Sequence, residues 1–210
     1  MPLLKTLLPL RLRLALWWIL CLLVALASWR FLVWGAERTM PFVAYHAAER
    51  PLSFYAHVGL APVALALLPF QFWQGLRQRR PMVHRWLGRG YGMAVLLSGL
   101  GSLAMAFGTT SGPVAAVGFG LLGLGWLGAT GWGIRQAMVG NIANHRAWMI
   151  RSAAMTFAAV TLRLYLPALF ALMGEEAGYT LVAWLAWVPN LIAAEWYLRR
   201  QEKRPAGQPA

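Results

Sequence analysis

His84-Arg85 and His145-Arg146 each set an imidazole beside a guanidinium at the head of an apolar stretch. An imidazole can ligate a metal or haem iron and can titrate near neutral pH. His84 and His145 are therefore candidate metal ligands, or axial ligands of one b-type haem, with Arg85, Arg89, Arg146 and Arg151 as candidate partners for its propionates. The competing reading needs no cofactor: an interfacial His-Arg pair binds lipid phosphates and caps a helix. His57 heads another apolar stretch from the opposite direction and shares a helical face with Gln71, which suggests a second, outer site. His46 lies in the loop before it. Arg163 sits inside an apolar stretch, about 22 Å along a helix from Trp148, where an arginine costs roughly 2.5 kcal/mol or more unless it is paired or faces water. Glu175 or Glu176, reached by snorkelling, is one expected compensation. A quinone, a carboxylate ligand or a backbone carbonyl is another.

A helix begun at either histidine brings positions 7, 11 and 18 further on to nearly the same face, because each residue turns about 100°. After His84 these are Tyr91, Val95 and Ser102; after His145 they are Ser152, Thr156 and Arg163. Two partly polar stripes result. Either they face one another and line a site, or their small hydroxyl residues only permit close helix packing, as the rows Ser98, Ser102, Ala106 and Gly125, Ala129, Gly133 also would. His145 and Arg163 are expected to share one face about 27 Å long, either a pathway or two separate sites, an inner one at His84 and His145 and an outer one at Arg163 with His57.

The elements that carry these residues are set by hydropathy. The chain is 60% hydrophobic with a mean hydropathy of +0.55, far above a soluble domain, in which roughly half the residues are apolar. Runs of about 20 apolar residues span a hydrocarbon core of about 30 Å. Six are expected, at about 14–34, 54–76, 88–109, 114–134, 148–173 and 179–198, giving an all-α transmembrane bundle over 14–198. Residues 1–13 form a basic N-terminus beginning with Lys5, and 199–210 form a basic tail containing Lys203 and Arg204.

The formal charge of +13 does not imply nucleic acid, because the arginines gather in alternate connections, as loops on the cytoplasmic side do. Both termini are therefore expected on the cytoplasmic side of the membrane. Ala25-Leu26-Ala27 imitates a signal cleavage site, but the apolar run continuing to Trp34 favours a retained first span. All six acidic residues are Glu, and only Glu195 falls within a span, leaving little raw material for a carboxylate proton relay. Glu195 and Arg199 are spaced for a pair along one helix. The single Cys21 excludes an internal disulfide.

Landmarks recur along the chain. Val58-Gly59, Gly75-Leu76-Arg77-Gln78 and His84-Arg85 are followed by Val117-Gly118, Gly133-Ile134-Arg135-Gln136 and His145-Arg146. This order suggests a parallel duplication of a two-helix unit, with His84 and His145 at equal depth.

His84-Arg85-Trp86-Leu87-Gly88-Arg89-Gly90-Tyr91, His145-Arg146-Ala147-Trp148-Met149-Ile150-Arg151-Ser152 and Thr161-Leu162-Arg163 resemble the bacterial membrane proteins grouped as domain of unknown function 2306. The similarity covers roughly 54–167 and includes His57 ahead of Pro69-Phe70-Gln71-Phe72. It implies a polytopic membrane protein without an established activity. Its pattern matches His57, His84, Arg85, Gly88, Arg89, His145, Arg146, Trp148, Met149, Arg151 and Arg163, and it supplies no mechanism. The reading that results is a multi-pass protein binding a small anionic or lipid-like ligand within the bundle; the alternative is a haem b electron-transfer protein. Lipid, quinone, haem or a small anion are the partners considered.

Overall fold

In a computed structural model, residues 9–202 are described, so Lys5, Lys203, Arg204 and the 205–210 tail lie outside the described residues. The chain is helical throughout: α1 (Leu10–Ser28), α2 (Arg30–Thr39), a 3-10 turn (Pro41–Val43), α3 (Ala44–Glu49), α4 (Pro51–Phe72), α5 (Gln74–Arg79), α6 (Pro81–Phe107), α7 (Gly112–Met138), α8 (Ile142–Thr156), α9 (Ala158–Met173), α10 (Glu175–Leu185) and α11 (Val188–Glu202). Six segments are long and apolar enough to cross a membrane: α1, α4, α6, α7, α8 with α9, and α10 with α11.

Local chemistry sets the ends. Proline opens α4, α6 and α7, where its missing N–H leaves no helical bond unmade. The Asn141 side chain caps α8 by accepting from the Asn144 N–H at 3.2 Å. Gly174 (φ 80°) turns the chain between α9 and α10 in a conformation that β-substituted residues avoid. The first span is shorter than its hydropathy suggests. It stops at Ser28, and Gly35 (φ 77°, ψ 166°) breaks the helix that follows. The apolar residues up to Trp34 therefore belong to a bent segment, pinned where the Trp29 indole donates to the Gly59 carbonyl at 2.9 Å.

Packing relies on small residues. The row Gly125, Ala129, Gly133 on α7 receives Met155 and Met149 of α8, and Gly101 of α6 lies against the Ser53 backbone of α4. Close backbone approach of this kind drives association where lipid removes the hydrophobic incentive. Cys21 and Ala25 of α1 are buried in the same core as Leu65, Leu68, Tyr91, Val95 and Val160. Leucines such as Leu23, Leu26, Leu100 and Leu124 point outward, as helices facing lipid require.

Consecutive spans are joined by short connections and pack antiparallel, as Gly92 against Ile134, Gly99 against Leu127 and Gly123 against Leu103 show for α6 and α7, so the described chain starts and finishes at one end of the bundle. That end carries Arg11, Arg13, Arg77, Arg79, Arg80, Arg85, Arg89, Arg135, Arg146, Arg151, Arg199 and Arg200 against Glu195 and Glu202. Arg30, Arg38, Arg50 and Arg163 belong to the opposite half and balance Glu37, Glu49, Glu175 and Glu176. All of the excess positive charge of the described residues is thus at the basic end. The two copies of the landmark sequence differ locally: Gly133 to Gln136 continue α7, whereas Gly75 to Gln78 lie in α5, beyond a break at Trp73.

Candidate functional site

The half of the bundle opposite the basic end contains a cavity of about 260 Å³, far larger than the 10–15 Å³ or so that admits one water. Its walls are mainly apolar, with Phe54, Phe119, Leu122, Met155, Leu162 and Leu166 among them. Four basic groups line it, Arg30, His46, His57 and Arg163, and no carboxylate does among the described residues. The sequence-predicted outer pair, His57 and Arg163, therefore shares one cavity.

Each basic group is held in its own way. The His57 Nδ1 lies 3.0 Å from the Ser98 carbonyl of α6. A carbonyl can only accept, so Nδ1 carries the proton and Nε2 of the neutral ring keeps its lone pair. His46 is 4% exposed, lies against Tyr45 with the rings tilted and their centroids 4.1 Å apart, and has no partner for its buried Nδ1 among the described residues. Burial, and then the nearby Arg50 charge, hold its pKa below the usual value. Arg30 is exposed and follows the break after α1.

Arg163 does not snorkel towards Glu175 and Glu176. Its Nη1 donates to the Ala159 carbonyl at 2.9 Å, one turn deeper, because helical side chains lean towards the N-terminus of their helix. Met173, the end of α9, is ten residues away, about 15 Å and half a hydrocarbon core. The compensation consists of one carbonyl and the cavity.

The two stripes do face each other, and they close the cavity floor. Trp126 Nε1 donates to Thr156 Oγ1 at 2.8 Å, and the Thr156 hydroxyl reaches the Ser152 carbonyl at 2.9 Å. With its own proton so placed, Thr156 accepts from Tyr91, whose hydroxyl is 2.6 Å away. The Ser152 hydroxyl lies 2.7 Å from that of Tyr91 and 2.6 Å from that of Thr130, which also reaches the Trp126 carbonyl at 2.7 Å. This ring joins α6, α7 and α8. Tyr91 and Ser152 are fully buried, so the shared face of His145 and Arg163 is interrupted rather than open from end to end. The helix also breaks at Phe157, between α8 and α9.

At the basic end, His145 Nδ1 donates to the Gly133 carbonyl at 2.8 Å, while His84 Nδ1 and Gln71 Nε2 are buried without partners among the described residues. His84 lies within electrostatic reach of His145, Arg77 and Arg85. Of the arginines expected to face a haem, Arg151 makes a bidentate pair with Glu195 at 2.5 and 3.0 Å, Arg146 contacts the Tyr197 hydroxyl at 3.4 Å, Arg89 lies over Trp86 with its edge free, and Arg85 is exposed. Glu195 thus pairs across helices with Arg151 instead of along its own helix with Arg199. Sequence reasoning missed Trp126 and Thr130. Their only signal is a four-residue spacing beside the small row that faces α8.

An all-helical chain with six apolar spans and aliphatic side chains facing outward is a multi-pass membrane protein. It belongs to the family of predicted membrane proteins called domain of unknown function 2306 (DUF2306), whose model matches residues 54–198, from α4 to α11. No curated protein and no solved structure matches it.

Proposed function

We propose that this protein binds a small amphiphilic anion in the cavity of its less basic half, with Arg163 and His57 at the head group and the apolar walls around the chain or ring. The observation that carries this reading is a guanidinium deep in an apolar cavity that no carboxylate lines. Desolvating a cation is expensive unless a counter-charge arrives, and a ligand anion supplies one. His57 adds an acceptor that becomes a donor on protonation, which suits an ionisable oxygen acid. On the positive-inside rule, the basic end is cytoplasmic and the cavity belongs to the outer half of a bacterial plasma membrane.

The test is the thermal stability of the detergent-purified protein with medium-chain carboxylates and with alcohols of equal length. A ligand at a hundred times its dissociation constant adds about 2.7 kcal/mol. Stabilisation by the carboxylate alone supports the reading; equal responses to both, or to neither, refute it.

A second reading, haem b between His84 and His145, is supported by one feature. The His145 Nδ1–H is held by a backbone carbonyl, the outer bond that commonly fixes the ligand tautomer of a metal-bound histidine. When bound, haem would supply one-electron redox chemistry. A Soret band with reducible α-bands in iron-replete protein, lost in His145→Ala, is the expected signature.

A further inference from the structure

A distinct feature lies at the basic end, outside the cavity. Arg89 stacks over the Trp86 ring at 4.6 Å and Arg135 over the Trp132 ring at 4.8 Å, and all four side chains are exposed. The Ile134 side chain fills the space that a side chain on Gly92 would need, so these two residues mark where α6 meets α7. At about 100° per residue, Arg89 and Trp86 stand about 60° and 120° round α6 from that contact. Arg135 and Trp132 stand about 100° and 160° round α7. The helices run antiparallel, so equal signs of rotation carry both pairs to the same side of the seam. Neither arginine makes an ion pair among the described residues, since Glu195 is held by Arg151.

The surface below them on that side is a groove. Gly131 and Gly128 of α7 have only open space where a side chain would stand, exposed Leu124 of the same helix closes that space one turn further on, and exposed Leu96 and Leu100 of α6 form the opposite bank. The groove is short, about 4.5 Å along α7 from Gly131 to Gly128. A guanidinium stacked on an indole is oriented in advance and keeps its edge N–H groups free for phosphate oxygens.

We propose that the α6–α7 seam is a binding site for an anionic glycerophospholipid, its phosphate between Arg89 and Arg135 and one acyl chain starting over Gly131 and Gly128 and lying along Leu96, Leu100 and Leu124. A second copy of this chain fits poorly, because it would bring four unpaired arginines together. A zwitterionic lipid brings its own cation and gains less from the two guanidinium groups.

Native mass spectrometry of the detergent-purified protein tests this, with phosphatidylglycerol and phosphatidylcholine of identical acyl chains added in turn. Phosphatidylglycerol is expected to be retained at least tenfold more. Arg89→Gln and Arg135→Gln should each reduce retention about fivefold, the equivalent of about 1 kcal/mol per basic side chain at an anionic surface. Gly128→Leu with Gly131→Leu should reduce it as well, without any change in charge. The arginines are exposed, so their variants retain the fold and give a reading even if the leucine pair does not. Equal retention of the two lipids, retention indifferent to both arginines, equally tight binding of chainless glycerol phosphate, or a dimer displacing the lipid each overturn the proposal.

Discussion

Replacing Arg163 with Leu should stabilise the empty protein and abolish ligand binding at the same time. A charged side chain near the centre of a spanning helix costs about 2.5–3.5 kcal/mol. Against that stand one hydrogen bond, to the Ala159 carbonyl, with a net contribution of about 1 kcal/mol, and a rim of packing that leucine largely restores. The Ala159 carbonyl belongs to the same helix and retains its ladder bond, so the substitution leaves no buried orphan. No carboxylate loses a partner, since neither ion pair of the described chain includes Arg163. The net gain is about 2 kcal/mol, roughly thirtyfold in the folding equilibrium. Unfolding in mixed micelles at rising denaturing detergent, without added ligand, measures it. A loss of 1 kcal/mol or more would show that Arg163 is a structural anchor, and the functional argument built on its uncompensated charge would fail. Binding lost with stability gained is the pattern of a site held at the expense of the fold.

Other consequences follow from the same geometry. Tyr91→Phe and Ser152→Ala should each cost about 1 kcal/mol and show a coupling of about 0.6 kcal/mol in a double-mutant cycle, typical of hydrogen bonds between membrane helices; strict additivity would mean that the ring is not closed. Gly101→Ala places a Cβ 2.5 Å from the Ser53 carbonyl and should lower stability by about 1–3 kcal/mol, whereas Gly128→Ala meets open space and should be neutral or stabilising by up to about 1 kcal/mol; melting temperatures in detergent separate the two. His46 is held neutral in the fold, its pKa lowered by burial and by Arg50, so the unfolded chain takes up the proton first and stability should fall as pH drops below about 6.5. His46→Gln should flatten that part of the stability–pH curve, and an unchanged slope would refute the assignment.

The spans were legible because hydrophobic run length against bilayer thickness is a strong constraint, and the alternation of arginines along the chain gave the basic end directly. The overlong first span shows the limit of that reasoning: hydropathy averages over Trp29 and Gly35, whereas the backbone bends at them. Periodicity offered facing stripes or packing of small hydroxyls as alternatives for the Tyr91 and Ser152–Thr156 faces, and the structure has them facing, linked through a chain of hydroxyl contacts. The third helix in that ring contributes Trp126 and Thr130, and a contact between helices leaves no mark in either one's own spacing. The Glu195 partner shows the same blindness, since Arg199 is its neighbour in sequence and Arg151 its neighbour in space. The outer pairing of His57 with Arg163 was anticipated from span direction, but the cavity that joins them depends on the bend after α1 and on His46, which sequence alone presents as a loop residue.

Photo-crosslinking with a diazirine-bearing medium-chain carboxylate, followed by peptide mapping, tests the central claim most directly. Adducts are expected on cavity-lining residues of α4, α7 and α9, at Phe54, Phe119 and Leu162, competed by unlabelled carboxylate and lost in Arg163→Leu. Adducts confined to outward-facing leucines such as Leu26 or Leu100, or cavity adducts that persist undiminished in Arg163→Leu, would contradict it.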